Sequence, residues 1–175
     1  ALAPGDTRER DLSWFDWSLL SDLSGDGRAV LFSETGEGGG AGYSAFLRAT
    51  DGSPAVRLGE GNGQSISPDG KRVLAILHPT TDQQLVAYPT GPGEPKLFSF
   101  PKLRVGSAEW LPDGRRFLMV AAEPGHGSRV YLADSEGGES KPLTPEGAGR
   151  FVKVLDARRF VGRLGGKECV FSVEG

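Results

Sequence analysis

Two histidines and a scatter of carboxylates are the side chains in these 175 residues best suited to bind or transform a ligand. His78 and His126 sit in polar loops that follow hydrophobic runs, at equivalent places in two successive segments. Glu34, Asp82 and Glu123 belong to the corresponding loops, and Arg129 follows His126 closely. Imidazole with carboxylate suits a divalent metal, a small anion or a sugar. No metal-ligand spacing is present, however, and two exposed loop histidines without a joint role explain the pattern more simply. A glycan lyase would want several inward histidines beside an acid or a base, and two on separate loops fall short of that. The glycine-rich stretch 34–42 and the Gly-Gly-Lys at 165–167 look like phosphate cradles. The first lacks the lysine, and both lack the strand-to-helix setting such loops need, so flexible hairpin connections are expected. There is no Gly-x-Ser-x-Gly elbow and hence no nucleophile of that kind.

A second set of carboxylates recurs with the chain's own period. Ser24-Gly25-Asp26-Gly27, Ser67-Pro68-Asp69-Gly70 and Leu111-Pro112-Asp113-Gly114 place their aspartates 43 and 44 residues apart, and a worn copy, Leu155-Asp156-Ala157-Arg158, follows at the same interval. Each aspartate is expected to accept hydrogen bonds from its own turn, a structural role. Asp22, Ser65, Glu109 and Lys153 also occupy equivalent positions. If they face a central channel, Asp22 and Glu109 could hold a cation such as calcium, with bridging water as the plainer outcome.

These positions presuppose a repeated element. Each turn precedes an apolar run: 29–32, 72–77, 116–120 and 159–161. Consecutive apolar residues mark a strand covered on both faces. The strand before each turn carries an apolar anchor, Leu23, Ile66, Trp110 or Val154. A second hairpin follows, with third strands around 43–47, 85–88, 129–132 and 169–171 and outer strands ending near 58, 98 and 144. Two hairpins per unit of about 44 residues predict an all-β fold, a β-propeller with blades of four antiparallel strands and about four repeats. The units read as 18–59, 62–99, 105–144 and a partial fourth at 149–175. In this architecture the loops after the second and outer strands share one face, and the hairpin turns share the other. The first face therefore carries Glu34, His78, Asp82, Glu123 and His126, together with the aromatic cluster Trp14, Phe15 and Trp17. That cluster suits burial at a blade seam better than an exposed patch.

The N-terminal residues 8–13 read as an outer strand. Arg10-Asp11-Leu12-Ser13 is similar to Lys141-Pro142-Leu143-Thr144, and both leucines stand 11 residues before the next anchor. The N-terminal segment would thus supply the strand that closes the ring on the last blade. Three closures are compatible: a slice of a longer propeller, a homodimer completing a larger ring, or a four-bladed ring. The chain opens without Met, as a processed or excised piece would.

Composition narrows the partners. Twenty basic against 23 acidic residues give a net charge of −3 with no basic stripe, which argues against nucleic acid or an anionic membrane surface as partner, and no apolar stretch is long enough for membrane insertion. The lone Cys169 lies in an apolar segment and is expected to be a buried, inert thiol.

The segment Ser67-Pro68-Asp69-Gly70-Lys71, its variant at 110–115 and Pro142-Leu143-Thr144-Pro145 resemble the repeats of TolB-like, WD-repeat-like propellers. Residues 10–17 and 34–40 further resemble propeller regions attached to bacterial serine/threonine kinases and regulators, although no kinase motif occurs. The resemblance implies a sensor or scaffold module of a larger bacterial protein, without catalytic residues of its own. With the loop face read from the repeats, the expectation is a non-enzymatic module, without a required cofactor, that presents Trp14, Trp17 and that face to a protein or peptide partner. The alternative is a metal-assisted glycan- or peptide-processing enzyme that uses the loop face or channel. Composition does not reveal the compartment; a periplasmic or other extracytoplasmic setting is favoured over a cytoplasmic one.

Overall fold

A computed structural model describes residues 2, 5–14, 17–36, 39–77, 84–149 and 152–174. Among them the regular structure is entirely β. The first sheet contains β1 (Ser18–Leu23), β2 (Ala29–Gly36), β3 (Gly40–Ala49) and β4 (Val56–Glu60). The second contains β5 (Asn62–Ile66), β6 (Arg72–Leu77), β7 (Gln84–Pro89) and β8 (Lys96–Phe98). The third contains β9 (Arg104–Trp110), β10 (Arg116–Ala122), β11 (Arg129–Asp134) and β12 (Lys141–Pro142). The last contains β13 (Val152–Val154), β14 (Arg159–Leu164) and β15 (Lys167–Ser172). Within every sheet the strands pair antiparallel in chain order. The first strands of successive sheets touch one another, β1 to β5, β5 to β9 and β9 to β13, so the sheets are blades ranged about their inner strands.

The repeated turn does what its composition predicts. The N–H of Gly27, Gly70 and Gly114 donates to the carbonyl of Ser24, Ser67 and Leu111 at 2.8, 2.8 and 3.0 Å, and these glycines take φ of 70°, 70° and 63°. That left-handed conformation costs a side chain but not glycine. Asp26 and Asp69 each accept from the serine two residues earlier at 2.6 Å and from the backbone two residues later at 3.0 Å. Thr50 and Thr90 then donate across the hairpins to Gly27 O and Gly70 O, tying the third strand to the turn.

Alternation in the second strands explains their continuous hydrophobicity. In β6, Val73 packs with Leu31 and Ile66 toward the first blade. Leu74 and Ile76 face the third blade, with Val105, Trp110, Phe117 and Met119. In β10, Leu118 and Val120 turn the other way, onto Val152 and Phe160 of the last blade. Edge-to-face contacts of Phe117 with Phe98 (5.1 Å) and Trp110 (5.7 Å) fill the seam between the second and third blades.

The expected ring closure is not seen among the described residues. Residues 8–13 carry no strand, and the last sheet has three strands. The segment instead lies on the first blade: Arg48, nearly buried, donates to the carbonyls of Leu12 (2.8 Å) and Ser13 (3.1 Å), and Leu12 packs on Val30, Phe32 and Phe46. A buried guanidinium requires acceptors and an apolar sheet face requires a cover, and this segment supplies both. Cys169 also departs from expectation: on β15, which has one neighbouring strand, it is only half-buried.

Candidate binding face

The inner-strand polar positions stitch one blade to the next. The Ile66 N–H donates to Asp22 Oδ2 at 2.8 Å, the Trp110 N–H to Ser65 Oγ at 3.3 Å, and the Val154 N–H to Glu109 Oε2 at 3.0 Å. Each acceptor therefore holds the anchor residue of the following blade. The remaining oxygens are also engaged, Asp22 Oδ1 by the Leu23 N–H and Glu109 Oε1 by Lys153 Nζ at 2.6 Å. Burial pulls the Lys153 ammonium down, but the hydrogen bond to Glu109 and the charges of Glu109 and Asp22 outweigh it and lift the pKa above its ordinary value. Among the described residues no three His, Cys, Asp or Glu side chains converge on a metal position.

On the loop face the structure separates residues that the sequence grouped. His78 and Asp82 lie outside the described residues. Glu34 is not on the rim, because β2 continues through it and turns its side chain to the same sheet face as Phe32. There it is fully buried, accepts a hydrogen bond from Ser18 Oγ, and leaves Oε2 without a partner among the described residues. Trp14 lies over the Arg48 guanidinium at 5.0 Å and is 37% exposed, whereas Trp17 is 63% exposed. Trp14 thus stacks on the first blade while keeping an exposed face, and Trp17 is open to solvent.

The third blade does assemble a cluster. Glu146, which the sequence reading did not single out, has Oε1 at 2.9 Å from both His126 Nδ1 and Arg129 Nη2, and its Oε2 accepts from the Gly127 N–H at 3.4 Å. These hydrogen bonds, His126 first, hold its carboxyl below the usual range. Glu123 faces Tyr131, whose phenol is raised by burial and then by that carboxylate. The signal for Glu146 was available: it lies in the loop after an outer strand, which must share the face of the loop holding His126.

Beside this cluster an open groove of about 390 Å³ runs between the third and fourth blades. Its lining includes Arg104, Gly106, Ser107, Ala122, Ser128 and Gly149. The wall formed by residues 145–149 is pinned, since the Gly147 N–H donates to Ser128 O at 2.9 Å. A Cβ on Gly149 would stand 2.7 Å from Arg129 N, so only glycine allows this approach.

No family model matches the sequence, and no curated protein does. The fold has solved counterparts. TolB from Acinetobacter baumannii superposes with a TM-score of 0.63 at 18% identity over 90% of this chain and 43% of that one. A putative TolB from Agrobacterium tumefaciens gives 0.71 at 16% over 80% and 51%. The β-propeller domain of the Trilobed protease from Pyrococcus furiosus gives 0.61 at 19% over 84% and 48%. The chain spans about half the length of these proteins. At such identities the likeness speaks for architecture, and in architecture this chain is a TolB-like β-propeller.

Proposed function

We propose that the chain is a non-enzymatic binding module, a sensor or scaffold part of a larger bacterial protein that displays its loop face to a protein or peptide partner. The observation that carries this reading is the groove between the third and fourth blades, open at the rim and bordered by the cluster of Glu146 with His126 and Arg129. Recognition by such a surface comes from shape and a few fixed polar groups. The test is a random-peptide array, followed by mapping of the selected peptides on the protein by NMR. Saturable binding at 123–128 and 145–149 without peptide cleavage is expected; binding confined to the hairpin-turn side, or hydrolysis, would overturn it.

The competing enzyme reading draws on the His126–Glu146 contact and on the fold shared with a protease's propeller domain. Thermal shift with calcium, zinc and manganese separates the two. A metal-dependent rise in melting temperature that His126→Ala abolishes would favour the enzyme, and one that Glu109→Gln abolishes would favour calcium in the channel. Pairing of two copies into a larger ring belongs to the same proposal and is read by light scattering.

A further inference from the structure

We infer that the groove between the third and fourth blades is a receptor for a peptide carboxylate, with Arg104 as its anchoring cation; this rests on the binding-module reading. Its volume, about 390 Å³, falls in the range of small-ligand sites, roughly 300–1,000 Å³. Arg104 is exposed in the groove lining, and its side chain makes no ion pair or hydrogen bond among the described residues. The nearby Arg129, in contrast, is neutralised by Glu146. A guanidinium presents paired N–H donors that match a carboxylate edge.

The strand beneath is irregular at the groove. Each of the first three inner strands carries a β-bulge. In the first two blades the extra residue, Ser21 or Gln64, immediately precedes the stitching acceptor, Asp22 or Ser65. In the third blade it is Gly106, three residues before Glu109 and hence nearer the loop rim. A bulged residue interrupts the regular ladder, and Gly106, lacking a side chain, places its backbone in the groove lining. Ser107 and Ser128 share the lining, and Val120 and Ala122, alternate residues of β10, share one strand face there and add apolar character for a peptide stem. Arg104 is the one cation among the described lining residues, which matches a single carboxylate; a phosphate dianion would want further positive charge.

The test titrates isotope-labelled protein with three N-acetylated tetra-alanine peptides: one with a free C-terminal carboxylate, its C-terminal amide, and the amide carrying one internal glutamate. Saturable amide shifts at Gly106, Ser107, Ser128 and Gly149 are expected with a carboxylate-bearing peptide and not with the neutral amide. Which acid responds identifies the source of the carboxylate. Arg104→Gln should weaken binding by about tenfold or more. Gly106→Leu should block the groove without disturbing the fold, because a Cβ there meets only Val120 O, at 3.7 Å. Equal binding of the neutral amide, unchanged affinity in Arg104→Gln, or no response to any of the three peptides overturns the carboxylate site. The binding-module reading survives those results if array-selected peptides still saturate elsewhere on the rim, and falls with the site if none do.

Discussion

At the scale of single residues, the carboxylates of the repeated turns illustrate how a motif that looks catalytic is spent on the backbone. For Asp26 and Asp69 the serine hydroxyl two residues earlier is the main cause of a lowered pKa, followed by the backbone N–H two residues later. For Asp113 burial pushes upward and is outweighed by hydrogen bonds from Arg116 and Arg115. All three folded values lie below the ordinary 3.8, so the unfolded chain takes up protons first as the pH falls. Their stabilising contribution is therefore complete above the unfolded value and is lost as the pH drops through the folded values. The triple variant Asp26→Asn, Asp69→Asn, Asp113→Asn keeps an acceptor oxygen in each turn but removes the charge. It should retain most of its stability at pH 7 and lose less than the native chain between pH 7 and pH 3 in urea unfolding. Parallel losses in the two proteins would assign the acid sensitivity elsewhere.

At the scale of elements, the inner strands join neighbouring blades through side chains as well as through apolar seams. Glu109 is the strongest of these links, because it holds both the Val154 N–H and the Lys153 ammonium while only 16% exposed in its side chain. Glu109→Ala should cost about 1–3 kcal/mol, since it leaves a partly buried N–H unpaired, and Glu109→Gln should cost less because the amide oxygen still accepts. Denaturant midpoints measure both, and an alanine variant as stable as the native chain would reduce the stitch to coincidence. Much of this level was legible beforehand. The period of the Asp-Gly turns locates the hairpins, and continuous apolar runs such as 116–120 identify strands whose alternate residues serve two seams. The rim was only partly legible: His126 and Arg129 meet as their loops suggested, but through Glu146, whose role depends on a contact across the blade's outer hairpin. Glu34 was misplaced for a local reason. Its strand runs two residues past it to Gly36, and period-2 alternation then decides that it points with Phe32 into the sheet face and not outward with the loop.

At the scale of the whole molecule, a blade array is held mainly by nearest-neighbour interfaces, so stability should vary along the chain according to how many faces each blade has covered. The second and third blades are flanked on both sides, and their second strands show it: residues 73–76 and 117–121 are all buried. In the last blade β14 alternates instead, with Phe160 buried while Arg159 and Arg163 are exposed and Val170 on β15 is 61% exposed. Fewer covered contacts mean a lower free energy of local opening, whatever the intrinsic strength of the strand hydrogen bonds. Native-state hydrogen exchange should therefore find the amides of β6 and β10 slowest and close to the global limit. Those of β13–β15 should exchange through sub-global opening, with protection lower by about a hundredfold, or roughly 3 kcal/mol. Blocking the stitch with Glu109→Ala should accelerate exchange in β13–β15 while leaving β6 nearly unchanged, because the lost acceptor belongs to the seam between the third and fourth blades alone. Uniform protection across all four sheets, or an equal effect of that substitution on β6, would mean that the blades open as one cooperative unit and that no single blade is an independent part of it.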